Sequence, residues 1–135
     1  MTAEVVRTAV NPVTWSLPLG FNQGESVSGH TRTLYCSGQA AMSADGKPLH
    51  EGDMAAQTAL SLHNLEAVLA EAGMDLTHLV RLNVYTTDVD LFFEHYDVLA
   101  SRLGAAGVAP ATTLLGVSRL ALPAQLVELE GTAVA

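Results

Sequence analysis

The chain has 135 residues, of which 49% are apolar and 15% charged, and its formal net charge is −8. A chain of this length forms one compact domain, here residues 1–135, and buries about two thirds of its unfolded surface. The negative charge disfavours binding to nucleic-acid phosphates and to anionic membranes, and the six basic residues are dispersed along the chain. We therefore expect neither a nucleic acid nor a membrane as a partner.

The cysteine content and the N-terminal sequence predict a cellular compartment. Cys36 is the single cysteine, so the chain forms no internal disulfide. The N-terminus lacks the basic and apolar regions of a secretory signal, and no apolar run approaches the roughly 20 residues that span a bilayer. These features predict a cytoplasmic protein.

The first half of the chain predicts a hairpin region followed by a helix. Residues 27–30 and 33–37 read as short strands around a turn, and Asp45-Gly46 marks a further tight turn. Between residues 53 and 72, apolar side chains recur at helical spacing. Asp53 can cap the start of this helix, and Gly73 can supply its left-handed end.

The second half predicts alternating strands and helices. Residues 79–86 read as a strand, Asp88 can cap a second helix to about Leu103, and Gly104 ends it. Residues 112–117 and 126–134 give two more strands, separated by a turn near Leu122-Pro123. The order ββαβαββ predicts an α+β fold, in which two helices cover one face of a mixed sheet. Another copy of the chain is the simplest cover for the other face.

Several short motifs together carry a family resemblance. They are Ser37-Gly38-Gln39, Gly52-Asp53-Met54-Ala55-Ala56-Gln57, Asn64, Ala72-Gly73, Pro110-Ala111-Thr112-Thr113 and Val127-Glu128-Leu129-Glu130. In this order the chain resembles the RidA family, also called YjgF/YER057c/UK114. The resemblance implies a chorismate-mutase-like fold and a homotrimer with a barrel-like centre, whose clefts between subunits bind small molecules. It also implies hydrolysis of reactive enamines and imines to ketones and ammonia. We expect no cofactor.

The resemblance assigns roles to two polar residues. Glu128 matches the glutamate that orients water in the family, and a carboxyl group there could carry a proton between water and the departing amine. The alternative is a solvated or ion-paired surface glutamate, which we favour for Glu130. Ser37 matches a serine beside the cleft. Its hydroxyl or the neighbouring amides could bind a substrate oxygen, or could only satisfy local backbone.

The chain departs from the family at the predicted cleft. Thr112 stands where the family usually carries a substrate-binding arginine, and a threonine cannot supply a bidentate charged clamp for a carboxylate. Phe21, Tyr96 and Leu114 stand near positions of a tyrosine, an asparagine and a cysteine in the deaminase branch. These changes predict a more apolar cleft and an arginine-lacking branch, and ordinary packing is the alternative for these three residues.

Other candidate sites are disfavoured. The five histidines lack zinc-binding spacing, so we expect no metal, and Cys36 should point away from Ser37 as a small buried hydrophobe. Arg32 or Arg119 could replace the missing cation, but both fit solvated surface charges better. Two hypotheses remain: an imine, enamine or enol-like hydrolase or tautomerase with an altered substrate range, and a non-catalytic trimer that binds a metabolite or protein. A ribonuclease role, known in parts of the family, is a third.

Overall fold

The computed structural model describes residues 4–135. Its six strands are β1 (Val6–Val10), β2 (Gly24–Ser28), β3 (Thr33–Tyr35), β4 (Leu79–Thr86), β5 (Ala111–Gly116) and β6 (Val127–Val134). Its three α-helices are α1 (Met54–Glu71), α2 (Val89–Glu94) and α3 (Tyr96–Ala105). The predicted strand at 79–86 is correct at both ends, and the last two strands each lie within one residue of their predicted bounds.

The main sheet has four strands in the order β3-β6-β4-β5. The pairing of β4 with β5 is parallel and the other two pairings are antiparallel, which confirms the mixed sheet and the α+β class. The strands β1 and β2 form a separate antiparallel pair. Arg7 of β1 connects this pair to the main sheet, because its Nη2 donates to the Leu79 carbonyl at 2.6 Å and contacts Glu25 at 3.3 Å.

The predicted hairpin between residues 27–30 and 33–37 is wrong. Residues 27 and 28 of the first segment belong to β2, which pairs with β1, a strand that the sequence patterns did not predict. The second segment contains β3, which pairs with β6. The amide groups of Thr31 and Arg32 both donate to the carbonyl of Ala135 at 2.9 Å. Ala135, the residue after β6, therefore accepts hydrogen bonds from amide groups between the two segments.

The two predicted helix starts are confirmed by their caps. The Asp53 carboxylate accepts the Ala56 amide proton at 3.0 Å, and the Asp88 carboxylate accepts that of Leu91 at 3.0 Å. The single helix predicted over 88–103 is wrong, since it is two helices that meet at His95, where φ is −120°. Neither proline nor glycine marks this break, so the pattern carried no signal of it.

The helices cover one face of the main sheet. The fully buried side chains on this face are Leu82 and Val84 of β4, Val127, Leu129 and Ala133 of β6, Leu62, Leu65 and Leu69 of α1, Phe92 of α2 and Leu99 of α3. Gly131 lets α1 approach β6, because a Cβ there would lie 2.8 Å from Leu79 and 3.4 Å from Leu65. The close packing of α1 on β6 buries apolar surface, which stabilises the domain.

The other face of the main sheet, here called the open face, has no cover within the described protomer. It carries Tyr35 of β3, Arg81, Asn83 and Tyr85 of β4, Thr113 and Leu115 of β5, and Glu128, Glu130 and Thr132 of β6. Tyr35 is 80% exposed and Leu115 is 49% exposed. The expectation that a second copy covers this face stays a prediction.

Candidate functional site

Glu128 lies on the open face and packs against Gly38. Side chains alternate along β6, so Val127 and Leu129 are buried under the helices while Glu128 and Glu130 point the other way. A Cβ on Gly38 would lie 2.7 Å from the Glu128 Cδ, closer than real carbon atoms approach. Glycine at position 38 therefore makes room for this carboxyl group.

Ser37 and Gly38 lie between two points at which their segment is bonded to β6. The Cys36 amide donates to a β6 carbonyl at 2.9 Å, and Gln39 exchanges two backbone hydrogen bonds of 2.7 and 2.8 Å with Leu129. Both flanks of the Ser37-Gly38 step are thus fixed to the strand that carries Glu128. Ser37, which is exposed, and Glu128, which is half-buried, belong to one polar region, here called the polar site.

Two side chains of α1 fix the segments around the polar site. Asn64 donates to the carbonyls of Ala40 at 2.9 Å and Met42 at 3.1 Å, just after the Ser37-Gly38 step. Gln57 is fully buried, donates to the Ala124 carbonyl at 2.9 Å and accepts the Leu126 amide proton at 2.8 Å, just before β6. These amides are positioning residues for the two segments of the polar site.

The two glutamates of β6 differ in their partners. Oε1 of Glu130 accepts from the Asn83 amide and from the Tyr85 hydroxyl, both at 2.9 Å. The Asn83 bond and then the Tyr85 bond lower the pKa of Glu130, and the same Glu130 contact is the main reason why the pKa of Tyr85 is raised. Among residues 4–135 no hydrogen bond or ion pair engages the Glu128 carboxylate, which is therefore available to a ligand or water.

A second candidate region is a cavity of 190 Å³ on the helix-covered side, here called the aromatic cavity. Its lining residues are Trp15, Leu19, Phe21, Val84, Phe92, Phe93, Tyr96, Thr112 and Leu114. Neighbouring rings meet at steep angles, such as 84° between Trp15 and Phe21 and 71° between Phe92 and Tyr96. The structure thus brings together four of the predicted binding residues: Phe21, Tyr96, Thr112 and Leu114.

The two hydroxyl groups of the aromatic cavity already donate their protons to backbone. Thr112 Oγ1 donates to the Pro110 carbonyl at 2.8 Å, and the Tyr96 hydroxyl donates to the Leu19 carbonyl. A carbonyl oxygen can only accept, so each hydroxyl is left with lone pairs alone. Burial raises the pKa of the Tyr96 phenol, which stays neutral. No charged side chain is among the described residues that line the cavity.

The polar site and the aromatic cavity lie on opposite faces of the same sheet. In the register of the strands, Val84 pairs with Leu114 on one side and with Leu129 on the other, so all three side chains face the helices. Glu128 occupies the adjacent position of β6 and pairs with Tyr85 on the open face. Within one protomer, Glu128 therefore lies beside Ser37 but does not reach the four predicted binding residues of the aromatic cavity.

Comparison with known proteins decides the family. The family model described as Endoribonuclease L-PSP matches residues 20–135. The chain belongs to the YjgF/RidA family. A Rid family protein of unknown function, YyfB from Yersinia pestis, has a crystal structure that is 35% identical to this chain, with a TM-score of 0.83 over 96% of this chain and 98% of that one.

Relatives from other organisms agree with this membership. A RutC family protein of Aquifex aeolicus is 32% identical over 130 residues, which cover 96% of this chain and 97% of the relative. The mitochondrial protein mmf1 of Schizosaccharomyces pombe is 33% identical over 124 residues, covering 92% of this chain and 72% of that protein. The structures and sequences thus support the α+β fold of the RidA family.

Other residues that the sequence nominated in this RidA family member lie elsewhere or are engaged. Cys36 is buried, and this burial raises the pKa of its thiol, as suits a core residue better than a nucleophile. Arg32 donates to the Ala72 carbonyl at 2.9 Å, and Arg119 contacts the Leu120 carbonyl at 3.3 Å. Neither arginine lines the aromatic cavity.

The described residues hold no group of three His, Cys, Asp or Glu side chains that could bind a metal ion. Within residues 4–135, no helix is long and apolar enough to cross a membrane.

Five lining residues of the aromatic cavity were not predicted from the sequence: Trp15, Leu19, Val84, Phe92 and Phe93. The chain has one Trp, three Tyr and three Phe, and five of these seven aromatic residues line this one cavity. The sequence did contain a signal. The chain has few aromatic residues, and three of them, Phe92, Phe93 and Tyr96, lie within five positions, which favours a contact among their rings. Their meeting with Trp15 and Phe21 required the tertiary fold.

Proposed function

We propose that this RidA family member is a small-molecule enzyme that hydrolyses or tautomerises an imine, enamine or enol-like substrate without a carboxylate at its reacting end. Glu128 is the catalytic residue of this proposal. The observation that carries it is the contrast between the two β6 glutamates, because Glu130 is occupied by Asn83 and Tyr85 whereas Glu128 is unengaged within residues 4–135. Gly38 makes room for this carboxylate, because a Cβ at position 38 would overlap it.

For an imine, the chemistry needs one carboxylate that moves protons twice. Glu128 accepts a proton from water as the water oxygen bonds to the imine carbon, and passes that proton to the nitrogen to give a carbinolamine. It then moves the hydroxyl proton of the carbinolamine to the nitrogen as the carbon–nitrogen bond breaks. The products are a ketone and ammonia, and the carboxylate is restored. For an enol-like substrate, Glu128 accepts the hydroxyl proton and delivers a proton to the neighbouring carbon of the double bond, which gives the keto tautomer and restores the carboxylate.

The proposal requires neighbouring subunits to share the site. The polar site and the aromatic cavity face opposite sides of one sheet, so they can meet only when the open face of one protomer approaches the cavity of another. The family resemblance implies a trimer with clefts at the subunit boundaries, and we propose the same assembly here. Tyr35 and Leu115, both exposed on the open face, supply apolar surface for that contact.

The substrate range follows from Thr112. A carboxylate in a closed site needs charged donors, and losing one such partner costs on the order of 2–5 kcal/mol, or roughly 30-fold to several thousand-fold in affinity. Both hydroxyls of the aromatic cavity are engaged with backbone, so neither replaces the arginine. We therefore propose weak turnover of 2-iminocarboxylates.

The test is ammonia release above the spontaneous rate, measured with 2-iminopropanoate and with a neutral ketimine such as propan-2-imine. The wild-type protein should accelerate hydrolysis of the neutral imine more. Glu128→Gln should lower that acceleration by about 100-fold or more, the usual contribution of a general acid–base. Glu130→Gln is the matched control on the same strand and face and should retain most of the rate. Equal rates for wild type and Glu128→Gln would remove Glu128 from the mechanism.

A non-catalytic binder is the second candidate, and the aromatic cavity favours it because this cavity can hold a ligand without Glu128. Saturable binding with no turnover of any imine would support this candidate. The name of the matching family model refers to an endoribonuclease, but the net charge of −8 opposes RNA binding. A cytoplasmic location remains part of our proposal for this chain.

A further inference from the structure

We infer that the aromatic cavity binds an uncharged ring, so that the ligand or substrate of this protein carries a neutral aromatic or ring-sized apolar group with an N–H or O–H donor beside it. The inference rests on the proposed function where it concerns a substrate, but the cavity itself is defined by geometry alone. It lies outside the residues that move protons in that function.

The size of the cavity sets the size of the group. Its volume is 190 Å³, and a cavity of about 150 Å³ accommodates benzene. Phe92 is fully buried at the floor, while Trp15 and Phe93 at the rim are 62% and 54% exposed. A ring can therefore pack against the two exposed aromatic side chains at the rim, in the edge-to-face contacts that aromatic rings favour.

The polarity of the cavity sets the charge of the group. The Thr112 and Tyr96 hydroxyls donate to backbone carbonyls and offer only lone pairs, so they can accept from an N–H or O–H of a ligand. A carboxylate would meet those lone pairs with no donor and no cation among the described lining residues. An unpaired charge in an apolar site is costly, so anions should be rejected.

A cationic ligand is the competing interpretation, since aromatic walls also attract ammonium groups. No carboxylate lines the cavity within residues 4–135 to balance such a charge, and the ring pairs meet edge to face, so the rings do not all present their faces to one point. The neutral ligand therefore fits better.

Trp15 provides a direct measurement because it is the only tryptophan and stands at the rim. Its fluorescence should change on titration with benzamide, which is neutral and has N–H donors. Benzoate has the same ring with an anionic end, benzylammonium has a cationic end, and acetamide lacks the ring. We expect benzamide to bind at least about tenfold more tightly than each of the other three. Binding of benzoate or benzylammonium as tight as that of benzamide would overturn the inference.

Variants place the binding in the cavity. Leu114→Phe fills the cavity and should weaken benzamide binding by about tenfold or more, measured by calorimetry. Leu49→Phe is its control, since Leu49 is 40% exposed and does not line the cavity, and this variant should bind benzamide like the wild type. If Leu114→Phe fails to fold, Phe93→Ala at the exposed rim serves instead and should weaken binding in a folded protein. Unchanged binding in the folded cavity variants would contradict the inference.

The outcome is separable from that of the proposed function. Benzamide binding that persists in both wild type and Glu128→Gln, with no imine turnover, would refute the chemistry and leave the cavity inference standing. Turnover of small neutral imines without any binding of benzamide would do the reverse.

Discussion

The two faces of the main sheet differ in how their polar groups are used. On the helix-covered face, the aromatic cavity has its hydroxyl protons bonded to backbone, and its floor is part of the hydrophobic core. On the open face, Glu128 is unengaged within the described chain while its neighbour Glu130 is held by two donors. In our proposal the two faces have separate roles: the cavity selects a ligand by shape and neutrality, and the open face supplies the carboxylate that moves protons.

The largest expected effect comes from mixing subunits that each lack one half of the site. Glu128→Gln and Leu114→Trp homo-oligomers should both be inactive, because one lacks the carboxylate and the other lacks the cavity. After unfolding and refolding together in equal amounts, about a quarter of the wild-type activity should return, since each shared site draws its two halves at random. The measurement is imine turnover on the mixed oligomer, with its mass determined by light scattering.

No recovery of activity in a properly mixed oligomer would show that the two halves do not cooperate across a subunit boundary. A stable monomer at micromolar concentration would contradict the shared site altogether. Mixing Glu128→Gln with itself under the same refolding protocol controls for activity gained by refolding alone.

The next effect concerns stability, because the floor of the cavity belongs to the core and its rim does not. Phe92→Ala should lower the free energy of unfolding by about 3–5 kcal/mol, since the side chain is fully buried. Phe93→Ala, its exposed neighbour, should lower it by no more than about 1 kcal/mol. Urea denaturation of both variants measures the difference. Similar losses of unfolding free energy at the two positions would contradict the assignment of Phe92 to the core and of Phe93 to the exposed rim.

A cation at position 112 should make the aromatic cavity bind a carboxylate ligand more tightly. Thr112→Arg is expected to raise the affinity for benzoate by about ten- to a hundredfold, because guanidinium can bond a carboxylate with two parallel donors. Thr112→Gln, uncharged and closer in length to arginine, is the control and should give little gain. Calorimetric titration of both variants gives the affinities. No gain with Thr112→Arg would indicate that position 112 does not govern carboxylate binding.

The smallest effect is a pH-dependent contribution from Glu130. Its pKa is lowered by bonds from Asn83 and then Tyr85, so the contribution is present above the ordinary glutamate pKa and is lost as the pH falls through the lowered value. Tyr85→Phe should therefore cost no more than about 1 kcal/mol near neutral pH and less in acid. Urea denaturation across this pH range measures it.

Tyr35→Phe is the matched control for Tyr85→Phe on the same face. Its hydroxyl has no bonding partner among residues 4–135 and its side chain is 80% exposed, so the pH dependence of stability should be unchanged. A Tyr85→Phe cost that grows as the pH falls would contradict the assignment of Glu130 as a structural residue.

Local patterns predicted most of the secondary structure correctly. Asp53 and Asp88 are helix-start signals and Gly73 is a helix-end signal, and each acts on backbone within one helical turn. The structure shows both caps and a φ of +72° at Gly73. The hairpin prediction was wrong because strand pairing depends on residues far apart in the chain. Here β3 pairs with the last residues of β6 and not with the segment before it. The break at His95 was missed because no residue type marks it.

The candidate site was predictable only in part. Family motifs nominated Glu128, Ser37 and Thr112, and alternation along β6 correctly separated its glutamates from its buried residues. The motifs did not reveal that Glu128 and Thr112 face opposite sides of the sheet, because that depends on the register between β4, β5 and β6. Residue roles at both regions remain predictions to be tested.

The sequence by itself determined the family, the α+β class, the helix caps and the absence of an arginine at position 112, because each depends on residue identity or on neighbours along the chain. Only the tertiary structure decided that five aromatic side chains share one cavity, that its hydroxyl protons are bonded to backbone, and that Glu130 rather than Glu128 is engaged within residues 4–135. These facts depend on strand register and on contacts between residues far apart in the chain, which no local pattern encodes.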